Sequence, residues 1–389
     1  MKANSRNNAK RGSWFASPSA VAPMVLIIAA AVVMCGFTLI SFSRQTAAKN
    51  SELSLMSEFD MGINNVTSDA LSGIITLEKE YVIPENVLVC PEPDQTAYSI
   101  TTSASDVEAA IGRAQMAGFV DYGTTLWNRD IAVWKNTPYE YYQDDTILVL
   151  MWKEYINNCI YNFAEIYIAH PSQFKRMFTD DQFGSVTRTT PSALAASVNA
   201  VCAMSADFYA YRGKGIVVYE RTVYRNNAYT LDTMFVDENG DFIFTGPNTA
   251  GSDAQLQQFV DDNKILFSLS FGPILVQNGV PTTSTVGYDV GQTEKNYARA
   301  AIGQLGKLHY LYCTVDGGVR KDDGSDQKEP GTNVVSVARV FAEKGCPTAY
   351  TLDGGQTATI IMNDHIFNRV GYGNERQVSD IIYFATAKS

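Results

Sequence analysis

The chain has few residues of the kinds that mark metal-binding and disordered proteins. Only three of its 389 residues are histidine, and its six cysteines include no CxxC pair, so the close ligand spacing of a structural zinc site is missing. Charged residues make up 18% of the chain and hydrophobic residues 46%, which excludes a compositionally disordered protein. The sequence predicts a globular protein with one large core or two moderate ones.

Basic residues are scarce beyond the N-terminus. The first 49 residues contain six basic residues and no acidic residue, whereas the remainder contains 24 basic and 41 acidic residues, a net charge of −17. Because such a surface repels polyanions, we expect no nucleic-acid partner. A phosphate-containing substrate would have to be bound by a few local arginine or lysine side chains.

Charge is absent from one long segment near the N-terminus. Residues 21–40 carry no charged side chain for about 20 residues, which is enough in a helix to cross a bilayer core. Four basic residues precede the segment, which favours a cytoplasmic N-terminus. We predict a cytoplasmic basic tail over residues 1–19 and a transmembrane helix over residues 20–42, so that a single-pass protein of the cell membrane exposes its C-terminal domain outside. A cleaved signal peptide is the alternative, although its apolar region is usually shorter.

The remaining residues divide into two predicted parts. Residues 43–143 mix polar and short apolar stretches and contain four prolines, as expected of a stalk and an N-terminal wrapping segment. Residues 144–389 intersperse helix and strand patterns with Asn-Gly hairpin signals, which predicts an α+β domain with a mixed, largely antiparallel sheet and flanking helices. Five cysteines follow the apolar segment, and this odd number predicts buried thiols with at most one disulfide.

Two aspartates stand just beyond predicted strands, and a pair of glycines follows each. The strand pattern of residues 308–315 ends at Asp316, and that of residues 349–352 ends at Asp353. Glycine permits unusual backbone dihedral angles and close approach of a ligand, so these carboxylates are candidates for chemistry, with an ordinary turn as the alternative. Thr357 adds a hydroxyl group shortly after Asp353, which favours a functional site there.

Several blocks in this part of the chain resemble the phosphodiester glycosidase family, the family of the lysosomal uncovering enzyme. Residues 352–359, LDGGQTAT, are similar to the leucine, aspartate, repeated-glycine, serine or threonine stretch that marks the family. The resemblance covers roughly residue 144 to the C-terminus, and the other blocks follow in the family's order at residues 199–209, 267–276, 298–303, 315–317, 345–346 and 374–379. It implies a hydrolase that cleaves the bond between the anomeric carbon of a sugar and a phosphodiester.

The implied reaction assigns roles to residues in these blocks. Loss of a phosphate from an anomeric carbon develops positive charge on the sugar and negative charge on the phosphate, so a carboxylate should face the sugar and cations the phosphate. The candidate catalytic carboxylates are Asp353, which ranks first, Asp316 and Asp207. Arg299 and Arg376 are the candidate phosphate clamps, with surface salt bridges as the alternative. Further substrate-binding candidates in the same blocks are Gly354, Gly355, Thr357, Ser270 and Gly272.

The chain departs from the family's pattern at three places. Residues 204–206, Met-Ser-Ala, stand where the family has alanine-isoleucine-asparagine-glycine, and Gly318 replaces an arginine for which Arg320 is the nearest substitute. Gln356 and Thr357 replace the third glycine and the serine of the Asp353 block. The resemblance implies a retained pocket with altered specificity.

We therefore expect a membrane-anchored, extracytoplasmic hydrolase that acts on sugar-1-phosphodiester linkages in envelope or exopolymer glycans. Its partners would be such a phosphate-containing glycan and the membrane. The sequence identifies no certain cofactor, and the carboxylates could bind a divalent cation. A catalytically inactive glycan-binding or envelope-assembly protein on the same fold is the alternative.

Overall fold

The computed structural model describes residues 81–388 except for residues 122, 124, 127–137, 248–250, 289 and 322. All the described residues belong to one compact unit, Ile74–Ser389. The predicted tail over residues 1–19 and the predicted transmembrane helix over residues 20–42 lie outside the described residues. Within the described part, no helix is long and apolar enough to cross a membrane.

The described residues form 21 strands and four α-helices. In chain order the strands are β1 (Tyr98–Thr101), β2 (Tyr139–Gln143), β3 (Ile147–Ile156), β4 (Cys159–Ile168), β5 (Phe174–Phe178), β6 (Cys202–Ser205), β7 (Gly215–Tyr219), β8 (Thr222–Asn227), β9 (Thr233–Asp237), β10 (Phe242–Thr245), β11 (Ile265–Leu269), β12 (Ile274–Gln277), β13 (Val280–Pro281), β14 (Arg299–Gly306), β15 (His309–Val315), β16 (Gly317–Arg320), β17 (Lys328–Pro330), β18 (Thr348–Leu352), β19 (Ile360–Met362), β20 (His365–Ile366) and β21 (Asp380–Phe384). The helices are α1 (Ala104–Met116), α2 (Pro191–Ser197), α3 (Asp253–Asp262) and α4 (Val334–Glu343).

The strands form one large sheet and three smaller ones. The nine-stranded sheet has the order β1-β2-β3-β4-β15-β14-β18-β12-β13, and two five-stranded sheets have the orders β10-β9-β11-β7-β8 and β20-β19-β6-β21-β5. β16 and β17 form a separate pair. Every pairing between these named strands is antiparallel. The expected α+β architecture is present, and its sheets are more uniformly antiparallel than the mixed sheet of the prediction.

Two cores lie on opposite faces of the nine-stranded sheet. Alternate residues of β15 belong to different cores, with Tyr310 and Tyr312 in one and Leu311 and Cys313 in the other. The first core includes residues of the two five-stranded sheets, and the second includes the apolar faces of α1 and α4. This division follows from the two-residue period of a strand, which sends successive side chains to opposite faces.

The ends of the helices agree with their sequences. In α4, the side chains at the i, i+3, i+4 and i+7 positions of residues 334–341 are buried against the second core, as their spacing predicts. The Asn333 side chain accepts a hydrogen bond from the Ser336 N–H and begins that helix.

The five cysteines of the described part are buried free thiols. This confirms the prediction of buried thiols with at most one disulfide.

The strand register brings the two Asp-Gly-Gly turns to one edge of the large sheet. β14 lies between β15 and β18, with Arg299 opposite Val315 and Ala300 opposite Leu352. Asp316 directly follows β15 and Asp353 directly follows β18. The two residues therefore leave the sheet at the same end, with β14 between them. Residues 81–143 contain β1, α1 and β2, and β2 pairs with β3 in this sheet.

Candidate functional site

Asp353 is fixed by its backbone at the end of β18. Its N–H donates to the Ala206 carbonyl oxygen at 3.1 Å, and the Ser205 hydroxyl donates to the Asp353 carbonyl oxygen at 3.3 Å. These contacts join the end of β18 to the end of β6. The Asp353 side chain is 13% exposed, and its Oδ2 accepts a hydrogen bond from Arg376 Nη2 at 2.7 Å. The site thus contains a nearly buried carboxylate paired with a guanidinium group.

The surroundings of Asp353 change its acidity. Burial raises the pKa of Asp353 to about 6, and the positive charges of Arg376 and Arg212 act in the opposite direction. A carboxylate with this pKa is charged at neutral pH and accepts a proton under mildly acidic conditions. Such a group suits a nucleophile or a general base.

The glycines after Asp353 are required by two different features. A Cβ atom on Gly354 would lie 2.6 Å from the Ala298 carbonyl oxygen, so no side chain fits there. Gly355 has a φ of +66°, which disfavours other residues, and a Cβ atom there would meet nothing within 4 Å. The Thr357 hydroxyl donates to the Gly354 carbonyl oxygen at 2.7 Å and closes the turn. The motif therefore forms a tight turn with open space at Gly355.

Two aromatic side chains pack against Arg376, the partner of Asp353, and a second arginine contacts one of them. Phe208 and Tyr211 stack with ring centres 4.6 Å apart. The guanidinium carbon of Arg376 lies 5.2 Å from the Phe208 ring centre and 5.5 Å from that of Tyr211. The guanidinium carbon of Arg212 lies 6.0 Å from the Phe208 ring centre. Sequence reasoning missed Arg212, and its only signal was its position directly after the aromatic block at residues 208–211.

Both arginines retain unused hydrogen-bonding capacity. Arg212 Nη2 donates to the Ser270 carbonyl oxygen at 2.6 Å, whereas the buried Nε atoms of Arg212 and Arg376 have no hydrogen-bond partner. In the part of the chain that the structure describes, Arg212 forms no ion pair. Unpaired guanidinium N–H groups beside a carboxylate can bind an anionic oxygen of a ligand.

Asp207 is enclosed rather than open to a ligand. Its Oδ1 accepts from the Tyr209 N–H at 2.6 Å and its Oδ2 from the Ser270 N–H at 3.0 Å. The Ser270 hydroxyl donates to the Ile216 carbonyl oxygen at 2.9 Å, and the Ser270 carbonyl oxygen binds Arg212. Asp207 and Ser270 therefore act in the structure as backbone supports that position Arg212 and the aromatic pair.

A buried arginine supports Asp207 from behind. Arg176 Nη2 lies 3.4 Å from Asp207 Oδ2 and 2.6 Å from Asp380 Oδ2, and none of the three side chains is exposed. Burial raises the pKa of Asp380 to about 7, against the opposing charge of Arg176. Sequence reasoning missed both residues. The signal available was a charged pair, Lys175 and Arg176, inside an otherwise apolar strand.

Asp316 belongs to a separate hydrogen-bonded cluster. Its Oδ1 accepts from Asn162 Nδ2 at 2.8 Å and its Oδ2 from Arg369 Nε at 3.0 Å, and Arg369 also binds Glu329. Burial raises the pKa of Asp316, which Asn162 and Arg369 oppose. Asp316 thus lies at the same sheet edge as Asp353 with a different arginine as its partner.

Arg299 is bound by backbone oxygens. Its Nε donates to the Thr332 carbonyl oxygen at 3.0 Å, and its Nη2 donates to those of Gln292 and Lys295 at 2.7 and 2.6 Å. Burial lowers the pKa of Arg299 to about 10. The guanidinium group therefore fastens the segment before β14, and the structure does not bring it into contact with the Asp353 carboxylate.

Gly272 stands where any side chain would collide with a tyrosine. Its φ is +67°, and a Cβ atom would lie 2.1 Å from the Tyr288 hydroxyl oxygen. That hydroxyl accepts a hydrogen bond from the Asp232 N–H at 2.7 Å. Gly272 therefore permits close packing of the loop that follows Ser270.

A divalent cation was a possible ligand of the candidate carboxylates. Among the described residues, no group of three His, Cys, Asp or Glu side chains has a spacing that could hold a metal ion.

Comparison with known proteins gives one family match and several distant likenesses. Residues 198–385 match the family model described as phosphodiester glycosidase. The chain is 23% identical over 210 residues to the SPbeta prophage-derived uncharacterized protein YomE of Bacillus subtilis, a match that covers 52% of this chain. It spans about a third, 31%, of the length of that curated relative.

Two solved structures resemble the fold at low sequence identity. One is the zebrafish N-acetylglucosamine-1-phosphodiester alpha-N-acetylglucosaminidase catalytic domain, auto-inhibited by its pro-peptide, with a TM-score of 0.46, 14% identity, and coverage of 61% of this chain and 82% of that chain. The other is a hypothetical protein from Synechocystis, with a TM-score of 0.44, 11% identity, and coverage of 64% of each chain. The family match, rather than these likenesses, bears on function.

Proposed function

Residues 198–385 form a domain of the phosphodiester glycosidase family, a family of hydrolases, and on that premise we propose that the protein cleaves sugar-1-phosphodiester linkages. The observation that carries the proposal is the nearly buried Asp353 carboxylate beside Arg376 and Arg212. A carboxylate and two cations are the groups that the reaction needs on its two sides. Asp316 is a further candidate carboxylate at the same edge of the sheet.

In the proposed reaction, the bond between the anomeric carbon and the phosphate oxygen breaks. The phosphate leaves as a monoester with both electrons of that bond, and the oxygen of a water molecule ends on the anomeric carbon. Asp353 faces the sugar, either as the nucleophile or as the base that takes a proton from water. Arg376 and Arg212 stabilise the negative charge on the departing phosphate. Arg299, whose Nε and Nη2 atoms donate to carbonyl oxygens, has no part in this scheme.

The proposal places the reaction outside the cell membrane, on envelope or exopolymer glycans. Its support is the uncharged segment at residues 21–40 after a basic N-terminus. Protease added to intact cells should digest the acidic domain and leave a short membrane-bound fragment. Protection of the domain until cells are lysed would contradict this topology.

Turnover by the full chain, purified in detergent, tests the proposed chemistry. The substrates are aryl diesters of several sugar 1-phosphates, and release of reducing sugar is measured. We expect turnover by the wild type and a loss of about 100-fold or more in kcat for Asp353→Asn. Arg376→Gln and Arg212→Gln should each lose about tenfold or more in kcat/KM. Arg113→Gln, which alters an exposed arginine on α1, is the matched control and should retain activity.

Three results would contradict the proposal in different ways. Full activity of Asp353→Asn would remove that residue from the chemistry. An equal loss of kcat/KM in the Arg113→Gln control would show that the effects of the arginine variants come from the change in total charge of the protein. Binding of the sugar phosphodiesters without any turnover would favour the alternative of an inactive glycan-binding protein, which the replacements at residues 204–206 and at Gln356 motivate.

A further inference from the structure

A third arginine extends the row of arginine and aromatic side chains beyond Asp353. The guanidinium carbon of Arg188 lies 5.4 Å from the Tyr211 ring centre, and that of Arg376 lies 5.5 Å from the same centre. The two guanidinium groups are therefore no more than about 11 Å apart. Tyr211, which both guanidinium groups contact, is 45% exposed, so a ligand in contact with Asp353 and Arg376 could reach Arg188 over this residue.

The charge of Arg188 is not compensated by a carboxylate. Its Nη1 donates to the carbonyl oxygens of Ser185 and Thr187. No ion pair of Arg188 occurs among the described residues. The carboxylates of Asp180 and Glu375, which lie on neighbouring segments, are bound by the hydroxyl groups of Ser185 and Ser192. Backbone oxygens thus hold the guanidinium group in place and leave its positive charge available.

Positive charge is concentrated around the loop that carries Tyr211. Arg225 donates to the carbonyl oxygens of Tyr209 and Arg212, so it supports the same loop, and it too lacks a carboxylate partner in the described part. Four arginines therefore contact residues 208–211, of which Arg176 and Arg376 are paired with acids and, among the described residues, Arg188 and Arg225 are not. In a chain with net charge −11, this concentration favours an anionic ligand larger than one phosphate group.

We propose that Arg188 and Tyr211 form a second anion-binding subsite, next to the one at Arg376 and Arg212. It binds the phosphate of the adjacent repeat in a glycan that carries phosphodiesters at successive units, while the intervening sugar lies across the exposed Tyr211 ring. This inference rests on the proposed function and names its substrate class, a polyanionic glycosyl phosphate chain rather than an isolated diester.

The separation of binding from chemistry provides the test. Arg188→Gln is assayed in the full chain on a sugar 1-phosphate diester with one phosphate and on an oligomer of the same sugar with three phosphodiesters. We expect KM for the oligomer to rise about tenfold with kcat unchanged, and the constants for the single diester to remain those of the wild type. Arg188→Lys should recover part of the affinity because it keeps the charge. Arg113→Gln is the matched control on both substrates.

Two outcomes overturn the subsite. Equal changes on the two substrates would show that Arg188 only supports the structure of the first site, and wild-type constants on both would show that it binds no substrate. If the wild type hydrolyses neither substrate, the proposed function fails. The subsite is then tested by calorimetry, which compares the affinity for inorganic tripolyphosphate with the affinity for inorganic phosphate. We then expect a preference for tripolyphosphate that Arg188→Gln removes; equal affinities in wild type and variant would refute it.

Discussion

The acidity of Asp353 links the chemistry of the site to the stability of the fold. Burial raises the pKa of this carboxyl group from 3.8 to about 6, so the folded chain binds its proton more tightly than the unfolded chain does. A raised carboxyl pKa favours the folded state most at low pH, and this contribution is lost as pH rises from about 4 to about 6. At neutral pH the buried charge therefore lowers the free energy of unfolding.

Replacement of this carboxyl group should lower the activity and raise the stability of the protein at neutral pH. We expect Asp353→Asn to raise the free energy of unfolding at pH 7.5 by about 1–2 kcal/mol, and to make no such difference near pH 4, where Asp353 is protonated in the fold. Urea unfolding at the two pH values measures this. The exposed Asp323→Asn should show no gain at either pH. A loss of stability in Asp353→Asn at pH 7.5 would mean that the pairing with Arg376 outweighs burial.

Single residues differ in how far the sequence could identify them. Asp353 was recognisable because its neighbours in the chain, two glycines and a threonine, form its turn. Arg212 was not, because its place beside Asp353 depends on contacts between segments that are distant in sequence. Arg299 follows this rule in part, since one of the three oxygens that bind it comes from the distant Thr332 and the other two come from the nearby residues 292 and 295.

At the scale of elements, one buried cluster joins three neighbouring strands beneath the site. Arg176 lies on β5, Asp380 begins β21, and Asp207 follows β6, and these strands are adjacent in the order β6-β21-β5. Arg176 also donates to the Ser268 carbonyl oxygen of β11, which belongs to another sheet. One guanidinium group thus connects two sheets and supports the loops that carry Arg212 and the aromatic pair.

Loss of that guanidinium group should destabilise the protein strongly. Arg176→Met leaves Asp207 and Asp380 buried without a cation, for which we expect a loss of about 3–5 kcal/mol in the free energy of unfolding. Arg221→Met is the matched control, because Arg221 also pairs with two carboxylates, Glu85 and Glu238, but is 35% exposed. It should lose less than about 1 kcal/mol in urea unfolding. Similar losses in the two variants would contradict a special role for the buried cluster.

The elements themselves were predictable where local pattern decides them. The spacing of apolar residues predicts the buried face of α4, and the alternation in β15 agrees with its two cores. The order of strands in the large sheet was not predictable, because β15 pairs with β4 across more than a hundred residues and no local signal encodes that register. The common edge of Asp316 and Asp353 follows from the pairing of β14 with both β15 and β18.

At the scale of the whole molecule, an acidic chain presents a local group of arginines around one carboxylate. The net charge of −11 disfavours polyanions at long range, whereas Arg188, Arg212 and Arg376 attract them at short range. Binding should therefore be selective for ligands that fit this row. The sequence indicated the acidic surface and the need for local cations, and the structure has Arg376 and Arg212 near Asp353.

The central claim is that the bond between the anomeric carbon and the phosphate oxygen breaks, rather than a bond between phosphorus and oxygen. Hydrolysis in ¹⁸O-labelled water distinguishes the two directly. A glycosidase adds the water oxygen to the anomeric carbon, whereas a phosphodiesterase adds it to phosphorus. We therefore expect the phosphomonoester product to contain no ¹⁸O by phosphorus NMR and mass spectrometry, and the released sugar to carry the label when it is analysed before its anomeric oxygen exchanges. Incorporation of ¹⁸O into the phosphomonoester would contradict attack at the anomeric carbon, and with it the roles proposed for Asp353, Arg376 and Arg212.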